Sequence, residues 1–256
     1  MRSRGIQLYL FILCGLVFLS FTYPSVFSLK VEKQHHEAVY KVNKLEGELV
    51  IDADWDKVQW QKAEVLQILN NMGQEPGFSP KTKAKLLYDE DYLYGIFQVE
   101  DKYVQSVVEE INGTVYTDSC VEFFFSPNQK FPLHYFNLEI NAGGKALMQF
   151  STDPHKKFNY ILPSDVGKIE IAHSLPKKIF PEIVDEVAWT IEFKIPLRML
   201  SDYSELTPPK PGVIWKGNFY KTATNTSNPH YITWSFIDRP KPDFHLPQFF
   251  GSLVFQ

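Results

Sequence analysis

The chain contains very little cysteine. Of its 256 residues only Cys14 and Cys120 are cysteines, and Cys14 lies in an apolar N-terminal run. If that run is removed a single thiol remains, and one thiol cannot form an internal disulfide. The sequence therefore excludes a small disulfide-stapled scaffold and leaves stability to an apolar core. A content of 44% hydrophobic and 15% aromatic residues can supply that core.

Positive charge is also scarce. The chain has 26 Lys and Arg against 30 Asp and Glu, which gives a net charge of −4. Without Arg2 and Arg4 the count falls to 24 against 30, which gives −6. A nucleic-acid partner requires a basic stripe, which this mildly acidic mixture does not provide. We therefore expect no nucleic-acid partner.

The sequence carries no catalytic signature. Its seven histidines show no metal-ligand spacing, and no serine lies in a Gly-x-Ser-x-Gly turn. A glycosidase needs two carboxylates about 5–10 Å apart across a cleft, and nothing in the sequence marks such a pair. We therefore predict a protein without a catalytic site.

The first residues have the pattern of an export signal. Arg2 and Arg4 precede an apolar run over residues 6–21, and residues 26–28 are suited to a cleavage site. This pattern predicts a signal peptide over residues 1–28 and export to the periplasm, cell surface or medium, with no stable membrane span after cleavage. A retained anchor is the alternative, although the run is shorter than the roughly 20 residues that span a bilayer.

Period-two alternation dominates residues 29–256, and this pattern is typical of strands. Helical signal is confined to Asp54–Lys62 and a turn at Pro196–Leu200. We predict a single all-β domain over residues 29–256, a two-sheet antiparallel β-sandwich of jelly-roll or immunoglobulin-like type with few short helices. The predicted strands are 84–88, 93–99, 121–125, 135–140, 146–150, 169–172, 187–195, 215–221, 231–236 and 252–255.

The segment between the last two predicted strands combines prolines with aromatic residues. Pro240, Pro242 and Pro247 fix φ and remove backbone donors, so this loop is stiff and cannot be helical. Aromatic side chains on a stiff loop favour a binding face over a structural turn. We therefore expect a binding site near this loop.

Motifs in a fixed order along the chain carry a family resemblance. They are Leu49–Asp52, Leu86–Tyr94, Val99–Asp101, Asp118–Phe124, Trp189–Glu192, Ile195–Leu197, Trp215–Tyr220, Thr233–Ser235, Phe244–Pro247 and Phe250–Gly251. Together they resemble the family 9 carbohydrate-binding modules and their wider relatives. The resemblance implies a sandwich that grips sugars without catalysis, in the best-known members at chain ends. Members are commonly attached to glycoside hydrolases, so a separate hydrolase is an implied partner.

The resemblance also implies site residues. Two tryptophans clamp a sugar ring in that family, and by motif the clamp positions fall on Tyr116 and Phe244, neither of which is tryptophan. The implied clamp is therefore weaker or shaped for another ligand. A further family carboxylate falls on Ala223, which removes one hydroxyl contact. The implied polar positions are Glu122, Asn137 and Tyr220.

These residue types suit a sugar on chemical grounds alone. An aromatic ring covers the C–H patch of a sugar, and carboxylate or amide groups bind its hydroxyls. Each residue also has a plainer interpretation. Tyr220 and Phe244 could pack a sandwich, and Glu122 could face water.

Acidic clusters leave structural calcium open. Asp52, Asp54 and Asp56, then residues 89–91 and 100–101, could offer oxygen ligands, of which calcium takes six to eight. The family often carries structural calcium. The ligand spacing here is not strict, so solvated surface acids are the alternative.

Two other functions remain as alternatives to an oligosaccharide or polysaccharide ligand. Related sandwiches hold haem b for electron transfer, and Met148 with His134 or His230 could serve as axial ligands. Core packing explains Met148 equally well. A scaffold or adhesion domain without a sugar site is the second alternative.

Overall fold

The computed structural model describes residues 37–256, so the predicted signal peptide lies outside the described residues. In this part of the chain, sixteen strands are joined mostly by turns and loops. The strands are β1 Val39–Lys44, β2 Leu66–Ile68, β3 Asn70–Asn71, β4 Lys81–Tyr88, β5 Tyr92–Asp101, β6 Val104–Ser106, β7 Cys120–Ser126, β8 Tyr135–Asn141, β9 Ala146–Asp153, β10 Lys157–Tyr160, β11 Glu170–His173, β12 Ile179–Ile183, β13 Val187–Pro196, β14 Ile214–Ala223, β15 His230–Thr233 and β16 Gly251–Phe255.

Helical structure is confined to short pieces. The α-helices are α1 Pro163–Val166 and α2 Leu197–Ser201, and 3₁₀ turns occur at Trp60–Lys62, Val115–Thr117 and Pro247–Phe249. Within residues 37–256 no helix combines the length and the apolar character that a bilayer span requires.

Two curled sheets face each other. Sheet A has the order β10-β9-β8-β7-β14-β16-β1, and sheet B has the order β4-β5-β13-β11 with β2 paired to β4. Strand β1 belongs to both sheets, because its residues 39–42 pair with β16 and its residues 43–44 pair with β4. Both pairings of β1 are parallel. Its two neighbours pair antiparallel with their next strands, β16 with β14 and β4 with β5. The predicted β-sandwich is confirmed.

Aromatic rings fill the space between the sheets. Phe123 of sheet A stacks on Phe219 at 4.7 Å and on Phe193 of sheet B at 6.3 Å, measured between ring centroids. Trp189 and Trp215 are both buried in this core. Aromatic pairs of this kind contribute about 0.5–1.5 kcal/mol beyond their burial, so the core compensates for the scarcity of disulfides.

One ion pair is buried within this core. The Lys221 ammonium lies 3.1 Å from Asp101 of sheet B, and both side chains are fully buried. His230 Nε2 lies 2.7 Å from the same ammonium. Burial and the neighbouring Lys221 charge lower the pKa of His230 to about 2, so this imidazole is neutral and can accept from the ammonium. The Lys221 side chain therefore lies on the interior face of β14.

Two predicted elements differ in the structure. Only Trp60–Lys62 of the predicted helical segment Asp54–Lys62 forms a turn of 3₁₀-helix. Strand β15 ends at Thr233, three residues before the predicted end, because side chains satisfy the backbone beyond it. Asn218 Oδ1 accepts from the Ser235 amide at 2.8 Å, so the chain leaves the sheet there.

Strands β15 and β16 share one edge of β14 in succession. Residues 220–223 of β14 pair with β15 and residues 214–217 pair with β16. The segment 234–250 between them passes over the outer face of sheet A, where its Phe244 and Phe250 join a second hydrophobic cluster with Phe124 and Tyr220. The outer face of sheet A is thereby partly covered, and the proline-rich loop becomes a wall.

Candidate functional site

A cavity of about 500 Å³ opens on the outer face of sheet A. Its floor comes from β7, β8, β9 and β14, and its walls come from the Val115–Thr117 turn, β10 and the loop 234–250. This volume falls within the roughly 300–1,000 Å³ of small-molecule sites. The lining residues are Tyr116, Glu122, Phe124, Glu139, Leu147, Gln149, His155, Phe158, Tyr160, Thr222, Thr224, Tyr231, Pro242, Asp243, Phe244 and His245.

Strand alternation places two acids side by side in the floor. Phe123 of β7 faces the core, so Glu122 beside it faces outward. The strand register sets Glu122 directly opposite Glu139 of β8. The two side chains are only 2% and 4% exposed. Two carboxyl groups thus share one nearly buried patch.

The Glu139 carboxyl is held from one side only. Asn137 Nδ2 donates to Glu139 Oε1 at 2.7 Å and to Gln149 Oε1 at 3.2 Å. Within the described residues, Glu139 Oε2 and Asn137 Oδ1 are buried without a hydrogen-bond partner. The Glu122 carboxyl likewise forms no hydrogen bond with residues 37–256. Buried polar groups are nearly always paired, and of these side chains Glu122 and Glu139 line the cavity, where a ligand could supply donors.

Burial raises the pKa of both carboxyl groups. The charge of Glu139 raises the pKa of Glu122 further, and the Lys221 ammonium across β14 opposes this shift. Two adjacent buried acids cannot both ionise readily, so the pair retains a proton at a pH where exposed glutamates have lost theirs. The floor can therefore both donate and accept a hydrogen bond, as a hydroxyl group requires.

Aromatic rings surround this floor. Tyr116 and Tyr160 are the open ones, with exposed fractions of 43% and 56%. Phe244 is largely buried, because it stacks on Tyr220 at 4.1 Å between centroids with an interplanar angle of 16°. The Tyr220 hydroxyl also donates to the Phe244 carbonyl at 3.2 Å. The cavity thus offers both exposed and rigidly backed ring faces.

Histidines fix the loop wall. His155 Nε2 lies 3.2 Å from Asp243 Oδ2. His245 packs edge-on against Phe158 at 4.8 Å between centroids, and its Nδ1 lies 2.8 Å from the Tyr135 hydroxyl. Burial lowers the pKa of His245 to about 4, so this ring is neutral near pH 7.

The structure brings three of the five predicted site residues to the cavity surface. Tyr116, Glu122 and Phe244 line it. Asn137 lies beneath the floor and contacts Glu139 and Gln149. Tyr220 is fully buried under Phe244 and does not line the cavity.

Sequence reasoning missed other lining residues. Glu139 shares an alternation face with Asn137, and this was the signal that could have placed it beside the predicted site. Its pairing with Glu122 depends on the β7–β8 register, which the sequence does not reveal. Tyr160 lies on β10, a short strand in which three of four residues are exposed, and this strand was not predicted.

A second cavity adjoins the first. Its volume is about 520 Å³, and Tyr231 and Pro242 line both cavities. Tyr103 and Glu75 also line the second cavity. The two cavities are therefore neighbours, separated by the side chains of Tyr231 and Pro242.

Several of the acids considered for calcium are engaged by protein groups. Asp52 pairs with Lys57 at 2.6 Å, and Glu100 pairs with Lys81 at 3.1 Å. Asp89 accepts two backbone amides and the Tyr94 hydroxyl. In residues 37–256 no three His, Cys, Asp or Glu side chains converge to hold a metal ion. These acids thus do not fit a calcium site.

The residues considered for haem are dispersed. Met148 is buried in the core between the sheets. His134 stacks on Phe131, with ring centroids 4.9 Å apart, and His230 is bonded to Lys221. None of the three lines the cavity on sheet A. Their contacts are those of structural side chains.

The fold and the cavity together define a β-sandwich binding module. The carbohydrate-binding family 9 profile matches residues 49–255, and the chain belongs to this family. The family consists of non-catalytic carbohydrate-binding modules. No functionally curated protein matches the chain.

Solved structures share this fold. A proposed carbohydrate-binding protein from Bacteroides uniformis is 25% identical with a TM-score of 0.77, and the match covers 86% of this chain and all of the other. A family 9 module from Caldicellulosiruptor kristjanssonii in complex with cellotriose is 17% identical, with a TM-score of 0.59 over 86% of this chain and 94% of its own. A family 9 module from the same organism in complex with glucose is also 17% identical. Its TM-score is 0.53, and the match covers 84% of this chain and 95% of the other.

Proposed function

We propose that this protein binds carbohydrate, without catalysis, in the cavity on the outer face of sheet A. The observation that supports this most directly is the pair of nearly buried, under-partnered carboxyls of Glu122 and Glu139 at the base of an aromatic-lined cavity. Buried polar groups left unpaired are costly, and sugar hydroxyls would pair them. Family membership supports the same function.

Each side chain has a distinct role in this proposal. Tyr116 and Tyr160 cover the C–H face of a sugar ring, since both are exposed at the cavity. Glu122 and Glu139 bind hydroxyls. Phe244 contributes a ring face whose position Tyr220 fixes from behind.

Asn137 acts indirectly in the same scheme. Its amide group donates to both Glu139 and Gln149, so it holds two lining side chains at once. We assign Asn137 to positioning and not to direct contact, because it does not line the cavity.

The wider setting is also part of the proposal. The protein is exported after cleavage near Ser28, residues 29–256 form one binding domain, and the bound oligosaccharide or polysaccharide is a substrate for a separate glycoside hydrolase. The pattern of residues 1–28 and the family's usual association with such enzymes support this setting.

Calorimetric titration of the purified protein tests the proposal. The panel contains neutral plant and microbial oligosaccharides, including cellotriose and glucose, the ligands of the two related modules. We expect a saturable heat, with affinity rising from one to three or more sugar residues because a second cavity adjoins the first at Tyr231. A folded protein that gives no heat with any member would contradict the proposed function.

A matched pair of variants locates the site. Glu139→Gln changes a cavity acid and should weaken binding at least tenfold. Glu90→Gln changes an exposed acid paired with Lys44 and should leave the affinity unchanged. Equal affinities in both variants would place the sugar elsewhere.

A further inference from the structure

The charged side chains at the base of the cavity are acidic. Glu122, Glu139 and Asp243 contribute carboxyl groups, and the lining includes neither lysine nor arginine. His245 is neutral near pH 7 because burial lowers its pKa to about 4. His155 is exposed and lies against Asp243, away from the floor pair. The base of the cavity is therefore acidic, and the His155 imidazole pairs with Asp243 of the wall and not with the two glutamates.

The interior cation behind the floor is already paired with other side chains. Lys221 belongs to β14, but its ammonium lies on the core side and pairs with Asp101 and His230. It cannot approach the outer face without breaking a fully buried ion pair. The protein thus places two carboxyl groups at the base of a cavity and leaves them without a direct cationic partner.

A neutral sugar would satisfy these groups only in part. Buried carboxyl groups are stabilised most when a positive charge with several N–H donors adjoins them. An ammonium group has three donors and no acceptor. It could bond to Glu139 Oε2 and to Glu122 at once while offsetting the charge of the pair. We propose that the cavity prefers a sugar with a free amino group, an amino sugar in its ammonium form, over the neutral sugar of the same shape. This rests on the proposed function, since it names the class of sugar bound there.

Binding of an ammonium group should change the number of protons bound to the carboxyl pair. The titratable side chains near the pair are Tyr116, Tyr135, Tyr220 and Cys120, with Lys221 behind β14. Burial raises the pKa of the three tyrosines and of the Cys120 thiol, so none of them supplies a competing negative charge near pH 7. An arriving ammonium stabilises the ionised pair, so the shared proton leaves for solvent. A neutral sugar has no such effect.

The test compares three trisaccharides at one pH: β-1,4-linked glucosamine, its fully N-acetylated form and cellotriose. We expect the glucosamine form to bind at least tenfold more tightly than either of the others. Titration in two buffers of different ionisation enthalpy should show proton release with this ligand alone. Glu122→Gln and Glu139→Gln should each abolish the preference, and Glu90→Gln should retain it.

The outcomes separate the two proposals. If cellotriose and the glucosamine trisaccharide bind equally well, the amino-sugar preference is wrong and the sugar site stands. If no trisaccharide binds to the folded protein, both proposals fail. If binding requires a divalent cation and chelation abolishes it, the carboxyl pair holds a metal and the amino-sugar assignment is overturned. A preference that persists in both glutamine variants would also overturn it.

Discussion

The two outer faces of the sandwich each bury a carboxylate, with opposite consequences. Glu192 on sheet B is fully buried and accepts from the Asp52 and Ala53 amides, the Trp60 indole and Lys57, all within 2.7–2.9 Å. Glu122 on sheet A is almost as buried and forms no hydrogen bond within the described residues. Strand alternation alone makes the two positions equivalent.

The difference lies in what covers each strand. The loop at residues 52–60 folds over Glu192 and brings its own donors, so that carboxylate is part of the architecture. The loop 234–250 covers sheet A only in part and brings apolar rings to Tyr220 and Phe124, which leaves the carboxyl pair facing a cavity. A buried acid therefore indicates a ligand site only when the protein supplies no hydrogen-bond donors to its carboxyl group.

The largest expected effect comes from Glu192→Ala. Removing one partner of a buried, hydrogen-bonded ion pair costs about 3–5 kcal/mol, so the free energy of unfolding in urea should fall by that amount. Sugar affinity of the protein that remains folded should not change. An unchanged unfolding midpoint would break the comparison, since Glu192 would then be dispensable.

Phe244→Ala should affect both stability and binding. The ring is stacked on Tyr220, so its removal should lower the free energy of unfolding by about 3 kcal/mol. Sugar affinity should fall at least tenfold, about 1.4 kcal/mol, in calorimetry on the folded variant. Phe244→Tyr keeps the ring and serves as the control. Wild-type affinity in folded Phe244→Ala would remove this ring from the site.

The pH dependence of stability should distinguish the two kinds of acid. The folded state raises the pKa of Glu122 and Glu139, so above the ordinary glutamate pKa of about 4.3 it holds more protons than the unfolded state. The contribution of this pair to the free energy of unfolding should therefore decline as the pH rises from about 4.5 to 8. The buried, neutral His230 and His245 contribute with the opposite sign below the ordinary histidine pKa of about 6.5, so the contribution of the pair is read from the difference between the wild type and a glutamine variant.

Glu122→Gln tests this assignment. With one acid removed, the decline should be shallower and the variant should be more stable than the wild type at pH 8 by about 1 kcal/mol. Urea unfolding at several pH values measures both quantities. A variant that is less stable at pH 8 would show that Glu122 resembles Glu192 after all.

The smallest effect is expected for Tyr116→Ala. This residue is 43% exposed, so stability should change little, but loss of a stacking face should weaken sugar binding about fivefold, near 1 kcal/mol. Phe180→Ala removes an exposed ring that does not line the cavity and should leave the affinity unaltered. Identical affinities for both variants would argue against a stacking role for Tyr116.

The sequence predicted the sandwich because alternation is a local property. Strands such as β7 and β13 were recognisable from their own residues, and the position of Phe244 on a stiff loop was visible from the prolines around it. The role of Tyr220 as a support was not, because it depends on which ring lies above it. Glu139 was not predicted as a site residue for a similar reason. The residue that lies opposite it on the neighbouring strand is set by the strand register and not by composition.

Strand β16 combines a late position in the chain with an interior position in the sheet. It is the last of the sixteen described strands in chain order, yet it lies inside sheet A between β14 and β1. The wall that carries Phe244 is tethered only when β16 is inserted at that interior position. A growing chain would therefore lack the proposed sugar site until this strand has emerged and the sandwich has closed.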